Sequence, residues 1–182
     1  MVFMKTNRIK IIFFLFCLCS ILTGQNKQKA DSLLKKLETE SSDTTRSLIL
    51  SQLAQLFYLT LPDSANVFAN QAYEIAKKSN FKYGKAKSIF YMGITQQTKG
   101  KFDDALNYFM QALPVFKELN RKKDLAAIYN NIGSCYHGKN EFSDALKNFY
   151  IALKYGQELG DLIGQANVNG NIGLLHFNEK NF

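Results

Sequence analysis

The sequence predicts an all-α protein, a superhelix (solenoid) of antiparallel helical hairpins, and three observations carry that prediction. Residues "KFDDALNYF" (101–109) return forty residues later as "EFSDALKNF" (141–149). The apolar residues of these stretches recur at three- and four-residue spacing, which gathers them on one face of a helix. Composition agrees, with 46% hydrophobic residues, only 2 Pro and 11 Gly in 182 residues, and almost no alternating β-branched runs. A fixed period of this size marks stacked supersecondary units, each burying its apolar face only against its neighbours.

Residues 1–24 are a different material. Lys5, Arg8 and Lys10 precede an apolar run from Ile11 to Leu22, and small and polar residues follow, which is the plan of a signal peptide. The run is short for a bilayer span, which needs about 20 apolar residues. Cys17 and Cys19 do not complete a lipid-attachment motif, because Phe16 and Leu18 stand where a small residue is needed. The expectation is an exported protein of the periplasm or cell envelope of a bacterium. Losing this segment removes three positive charges and no negative ones, so the formal net charge falls from +8 to +5. The basic cluster "NRKKD" (120–124) is expected to be a solvated inter-helix loop around Arg121–Lys123. A nucleic-acid surface requires a continuous basic stripe with stacking or base-reading residues. Nothing of that kind is present, so no nucleic-acid partner is expected. Past the signal segment Cys135 is the one cysteine left, so stability has to come from packing and not from a disulfide.

Residues 25–45 are expected to form an N-terminal capping helix, since "KQKADSLLKKLETES" sets Leu33, Leu34 and Leu37 on one helical face. Repeats follow at 46–85, 86–125 and 126–165, with a partial one at 166–182. Laying 86–125 on 126–165 without a gap matches Gly93 with Gly133, Ala105 with Ala145, Phe109 with Phe149 and Ala112 with Ala152, and Gly173 falls in register one period later. Each unit reads as two helices. Gly100 or Gly138 closes the first, and Asp103, Asp104 and Asp144 bring negative charge to the start of the second, where the helix dipole favours it. Pro62 opens the corresponding helix of the earliest unit, where its missing N–H costs little. The glycines and alanines mark close approaches of the two backbones, Phe149 is expected to fill the space between neighbouring hairpins, and Pro114 is expected to kink its helix.

With Ile132, Gly133, Tyr136, Ala145, Phe149 and Ala152 in these places, the sequence resembles the tetratricopeptide repeat (TPR) family and its Leu-Gly, Tyr, Ala, Phe, Ala pattern. The period of forty instead of about 34 implies longer helices or longer links. Leu53 stands where the first unit should have Gly, and the closing Pro of the family is missing. The resemblance implies that the first helices line a concave face that receives a protein or peptide partner. Candidates on those helices are Lys87, Phe90, Tyr91, Ile94, Asn130, Asn131, Ser134, His137, Asn167 and Asn171, expected to be exposed. Of these, Tyr91, Asn130, Asn131, Asn167 and Asn171 are the groove residues proper, and the asparagines are the informative ones, because a side-chain amide both donates to and accepts from an extended backbone. A competing reading has Asn131 and Asn171, equivalent in "NNIG" and "GNIG", bonding between adjacent hairpins.

No constellation for catalysis, metal binding or a cofactor emerges. Cys135 and His137 are two apart on a helix and do not face each other, and His176, at the register position of Tyr136, is expected to pack. The chain is therefore expected to be an interaction module without enzymatic activity, touching a membrane only through its signal segment or a missing C-terminal span. The signal, the amphipathic helix, "DSA" at 63–65 and the forty-residue repeats further resemble the sensory N-terminal region of bacterial membrane histidine kinases. That implies a truncated two-component sensor, and the ending at Phe182, with the Leu174, Leu175 and Phe177 face uncovered, fits it. The alternatives are a free-standing exported scaffold and, with less weight, the repeat region of a DNA-binding transcriptional regulator.

Overall fold

The structure, a computed structural model, describes residues 24–179, and the expected signal segment and Phe182 lie outside them, Gly24 excepted. Two units are described separately. The first contains helix α1, Gly24–Thr39. Leu33, Leu34 and Leu37 are half-buried there, while Lys35, Lys36 and Glu38 are exposed, so the helix is amphipathic as its pattern requires.

The second unit holds α2 (Asp43–Phe57), α3 (Pro62–Lys78), α4 (Lys82–Thr98), α5 (Phe102–Glu118), α6 (Lys122–Gly138), α7 (Phe142–Leu159) and α8 (Leu162–Glu179), with no strand among the described residues. The pairs α2/α3, α4/α5 and α6/α7 are hairpins, and α8 packs on α7. Ser42 caps α2 by accepting the Thr45 N–H at 3.5 Å, and Pro62 stands at the start of α3.

From α3 onward each helix begins twenty residues after the last, and the turns explain the regularity. Asn80, Gly100, Asn120, Asn140 and Gly160 all have positive φ, between 47° and 72°. In every case the next residue donates its N–H back across the helix end: Phe81 to Ala76 O, Lys101 to Gln96 O, Arg121 to Phe116 O, Glu141 to Tyr136 O and Asp161 to Gly156 O, at 2.8–3.0 Å. This is a Schellman closure, and Gly and Asn are the residues that reach its left-handed turn at least cost. The same residue that ends the closure is the N-cap of the following helix, so a very short link serves both ends. The extra length over the usual repeat therefore resides in helices of 17 or 18 residues and not in loops. Gly100 is a terminator as expected. Gly138 is not, since it is the last residue of α6 and Asn140 makes the turn.

Packing follows the register. A Cβ on Gly93 would lie 2.6 Å from the Phe109 ring, and one on Gly133 would lie 2.7 Å from the Phe149 ring. Ala105, Ala112, Ala145, Ala152, Phe109 and Phe149 are all buried. Phe149 fills the space between neighbouring hairpins as expected, in a cluster with Val168 and Leu175 of α8, and it also packs against the glycine of its own hairpin. Gly173 departs from expectation, having nothing within 4 Å, because no helix among the described residues packs against that side of α8. For the same reason His176 is exposed and not packed. Leu175, expected to be uncovered, is buried on α7, whereas Leu174 and Phe177 are 52% and 67% exposed. Helix α5 runs on past Pro114 to Glu118. Pro114 is on the exposed side, and Met110, whose carbonyl loses its intrahelical donor, is itself 50% exposed and open to water.

Candidate functional site

A groove of about 750 Å³ runs along this stack. Its walls come from α2 (Leu48, Ser51, Gln52, Gln55), α4 (Tyr83, Lys87, Phe90, Tyr91, Ile94), α6 (Lys123, Asp124, Ala127, Asn130, Asn131) and α8 (Asn167), with Tyr58 and Arg121 from adjoining turns. No second helix of a hairpin contributes. Alternation of long helices every twenty residues puts every other helix on the same side, so residues forty apart come to line one surface.

Four of the five groove candidates, Tyr91, Asn130, Asn131 and Asn167, line this space. Asn171 does not line it. Its Nδ2 donates to Asn130 Oδ1 at 2.9 Å, joining α8 to α6. Asn131 instead donates to Ala127 O of its own helix at 2.8 Å, so the competing reading describes Asn171 and not Asn131. Seven residues further along both helices, Asn178 Nδ2 lies 2.9 Å from His137 Nε2. Phe90, Tyr91 and Ile94 are 3%, 3% and 7% exposed, which corrects their expected exposure. They form the floor of the groove, and burial raises the Tyr91 hydroxyl pKa well above its ordinary value.

Between α4 and α6 lies a polar cluster that periodicity does not reveal. Asp124, in the first turn of α6, is only 4% exposed. Its Oδ1 accepts from Lys87 Nζ, and its Oδ2 accepts from Tyr83 OH at 3.0 Å and from Arg121 Nε at 3.2 Å. Arg121 also donates to the Tyr83 hydroxyl at 3.1 Å and stacks 4.3 Å over its ring. Burial, and then the Asp124 charge, raise the Tyr83 pKa, so the phenol remains the donor. A buried carboxylate is costly without partners, and here it has three. Arg121 is therefore not part of a merely solvated loop, and Lys123 beside it faces the groove. The signal that could have found this cluster is a break in the repeat: Asp124 occupies the register position of Gly84 and Gly164. Cys135 is fully buried, its thiol pushed up to about 12 by burial, which leaves it a packing group. Among the described residues no group of His, Cys, Asp and Glu could hold a metal, and no helix is long and apolar enough to cross a membrane.

No family model and no curated protein matches the sequence. Solved structures do. The crystal structure of a Rap protein complexed with Competence and Sporulation Factor superposes with a TM-score of 0.74 at 19% identity, over 81% of this chain and 42% of that one. Aspartyl phosphate phosphatase F from Bacillus subtilis gives 0.67 at 21% identity, over 89% and 44%. The TPR domain of Arabidopsis FLU gives 0.55 at 19% identity, over 65% of this chain and 98% of that one. The fold is a TPR-like helical repeat. The chain spans less than half of the length of the first two of these proteins, and at such identities the likeness concerns the fold.

Proposed function

We propose that this chain is a protein-interaction module that receives an extended peptide segment in the groove of its first helices. The observation that carries the reading is the open groove lined by α2, α4, α6 and α8, with an aromatic floor and amides on its walls. Aromatic side chains supply contact area at low entropic cost, and amides satisfy a peptide backbone that leaves water. The complex of the Rap protein with Competence and Sporulation Factor supports the view that this fold accommodates a bound partner. The reading assigns no catalytic step and no cofactor to these residues.

Ala127 provides the test, because it lines the groove and a larger side chain there would fill it. Full-length protein should bind a subset of an array of extended peptides, and Ala127→Trp should abolish that binding while the melting temperature stays unchanged. Equal binding by the variant would overturn the assignment of the groove. Binding that survived joint substitution of Asn130, Asn131 and Asn167 by Ala would count against the amides as backbone readers.

The signal-like leader and the forty-residue repeats support a wider setting, the exported sensory region of a two-component sensor. Fusing residues 1–24 to a reporter active only outside the cytoplasm should give activity, and a silent fusion would sink export. Reading the gene beyond the codon for Phe182 should reveal a membrane span followed by kinase motifs, whereas a stop codon there would favour a free-standing scaffold.

A further inference from the structure

The charge of the groove is confined to its centre. Its cations are Lys87, Arg121 and Lys123, and Asp124 is the one carboxylate on its described walls. Asp124 is buried and held by Lys87, Tyr83 and Arg121, so it is a fixture of the wall. The cations are not exhausted by it. An ammonium has more N–H donors than the one that meets Asp124, and a guanidinium has more than those Arg121 uses on Asp124 and Tyr83. Aromatic rings hold both in place: Lys87 Nζ is 5.7 Å from the Phe90 centroid and 5.4 Å from that of Tyr91, and Arg121 stacks on Tyr83. Away from this cluster the wall is neutral, with Gln52 and Gln55 on α2 and Asn167 on α8.

From this distribution we infer that the peptide carries an acidic side chain at its centre, its carboxylate seated among Lys87, Arg121 and Lys123. This deepens the peptide-groove reading and rests on it. Neighbouring first helices about 8–10 Å apart make the groove roughly 24–30 Å long. An extended chain covers about 3.3–3.6 Å per residue, so roughly seven to nine residues fit. Because neutral wall continues on both sides of the cations, the carboxylate belongs to an internal Asp or Glu and not to a chain end. Asp124 serves as the preorganising group: it fixes two cations in advance, so less side-chain freedom is lost when the partner arrives.

The test uses full-length protein and fluorescent nine-residue peptides read by anisotropy. One set, with amidated C-termini, carries a central Asp or Glu; a second carries Asn or Gln there; a third is neutral with a free C-terminal carboxylate. The first set should bind at least about tenfold more tightly than the second, since a charge-assisted contact is made with one and not the other. The preference should shrink as salt rises. Lys123→Gln, an exposed change that leaves the Asp124 cluster intact, should lower affinity for the acidic set and leave the other sets unaffected. Equal binding of the first two sets would overturn the acidic specificity while leaving the groove reading in place. Tightest binding by the third set would overturn the internal carboxylate in favour of a chain end. Absence of binding by every set would overturn the groove reading together with this one.

Discussion

Helices α6 and α8 hold equivalent positions in the forty-residue period, yet their shared residues meet different surroundings. Gly133 of α6 lies beneath the Phe149 ring, whereas Gly173 of α8 has open space where a side chain would project. Lys122 pairs with Glu158 at 2.9 Å, whereas Leu162 at the equivalent place is 77% exposed. Tyr136 is half-buried, and His176 is exposed. Where register repeats a letter, as at Gly133 and Gly173, the neighbouring helix fixes what that residue contributes to stability; at Lys122/Leu162 and Tyr136/His176 the residue type itself changes.

The largest break in this comparison should come from the ring that distinguishes the two helices. Phe149 is fully buried against Gly133 and in the cluster shared with Val168 and Leu175. Phe149→Ala should destabilise by about 3–5 kcal/mol in a chemical melt, through lost burial and the cavity left behind. A neutral result would mean that α6 and α7 collapse without the ring, and the contrast between Gly133 and Gly173 would lose its cause.

The glycines themselves test it more directly, because the same substitution should have opposite signs. Gly133→Ala places a Cβ 2.7 Å from Phe149 and 3.1 Å from the Ala145 carbonyl oxygen, and should cost about 1–3 kcal/mol by overpacking. Gly173→Ala meets nothing and should stabilise by about 0.5–1 kcal/mol, the ordinary helix-propensity gain. Thermal melts of the two variants side by side decide the matter, and a loss at both positions would show that α8 is covered on that side in solution.

How much of this was legible in the sequence follows from what repetition can and cannot encode. Gly93 and Gly133, and Phe109 and Phe149, repeat as identical letters because each pair solves the same local problem of two backbones and a ring. The turns repeat equally strictly, but Asn80, Asn120 and Asn140 share the turn position with Gly100 and Gly160, so a search for identity misses a conformation that two residue types share. The groove was only half legible. Residues on first helices were bound to share a surface, which brings Tyr91, Asn130, Asn131 and Asn167 together. The buried state of Tyr91 depends on neighbours in other hairpins. The Asp124 cluster joins residues about one period apart in different helices, and a one-off pairing across the stack leaves no periodic trace.

A smaller effect should come from the seam that ties α8 to α6. Asn171 donates to Asn130 in a partly buried setting, and Asn171→Ala should cost about 0.5–1.5 kcal/mol, the range for one net hydrogen bond. A double-mutant cycle with Asn130→Ala would isolate the pair. Additive losses would show that the two amides act separately, and the seam between α8 and α6 would then rest on the Asn178–His137 contact.

The smallest effect is expected where the two helices differ most plainly in sequence. Lys122 meets Glu158 as Lys82 meets Glu118 one period earlier, and Leu162 ends the series. Hydrogen bonding and then the charge of Lys122 hold the Glu158 carboxyl below its ordinary range. Such a shift contributes stability that is present above the unfolded carboxylate range and lost as pH falls through the folded value. Both side chains are substantially solvated, at 43% and 35% exposure, so water and salt screen the attraction. Lys122→Gln should therefore lower the melting temperature only slightly at neutral pH, and the difference should vanish in acid and at 1 M salt, where the screening length is about 3 Å. A deficit that persisted at high salt would assign the loss to the packing of the lysine stem on α7, and the exposed Leu162 would then be the better-suited residue of the two for a helix end that packs on a neighbour.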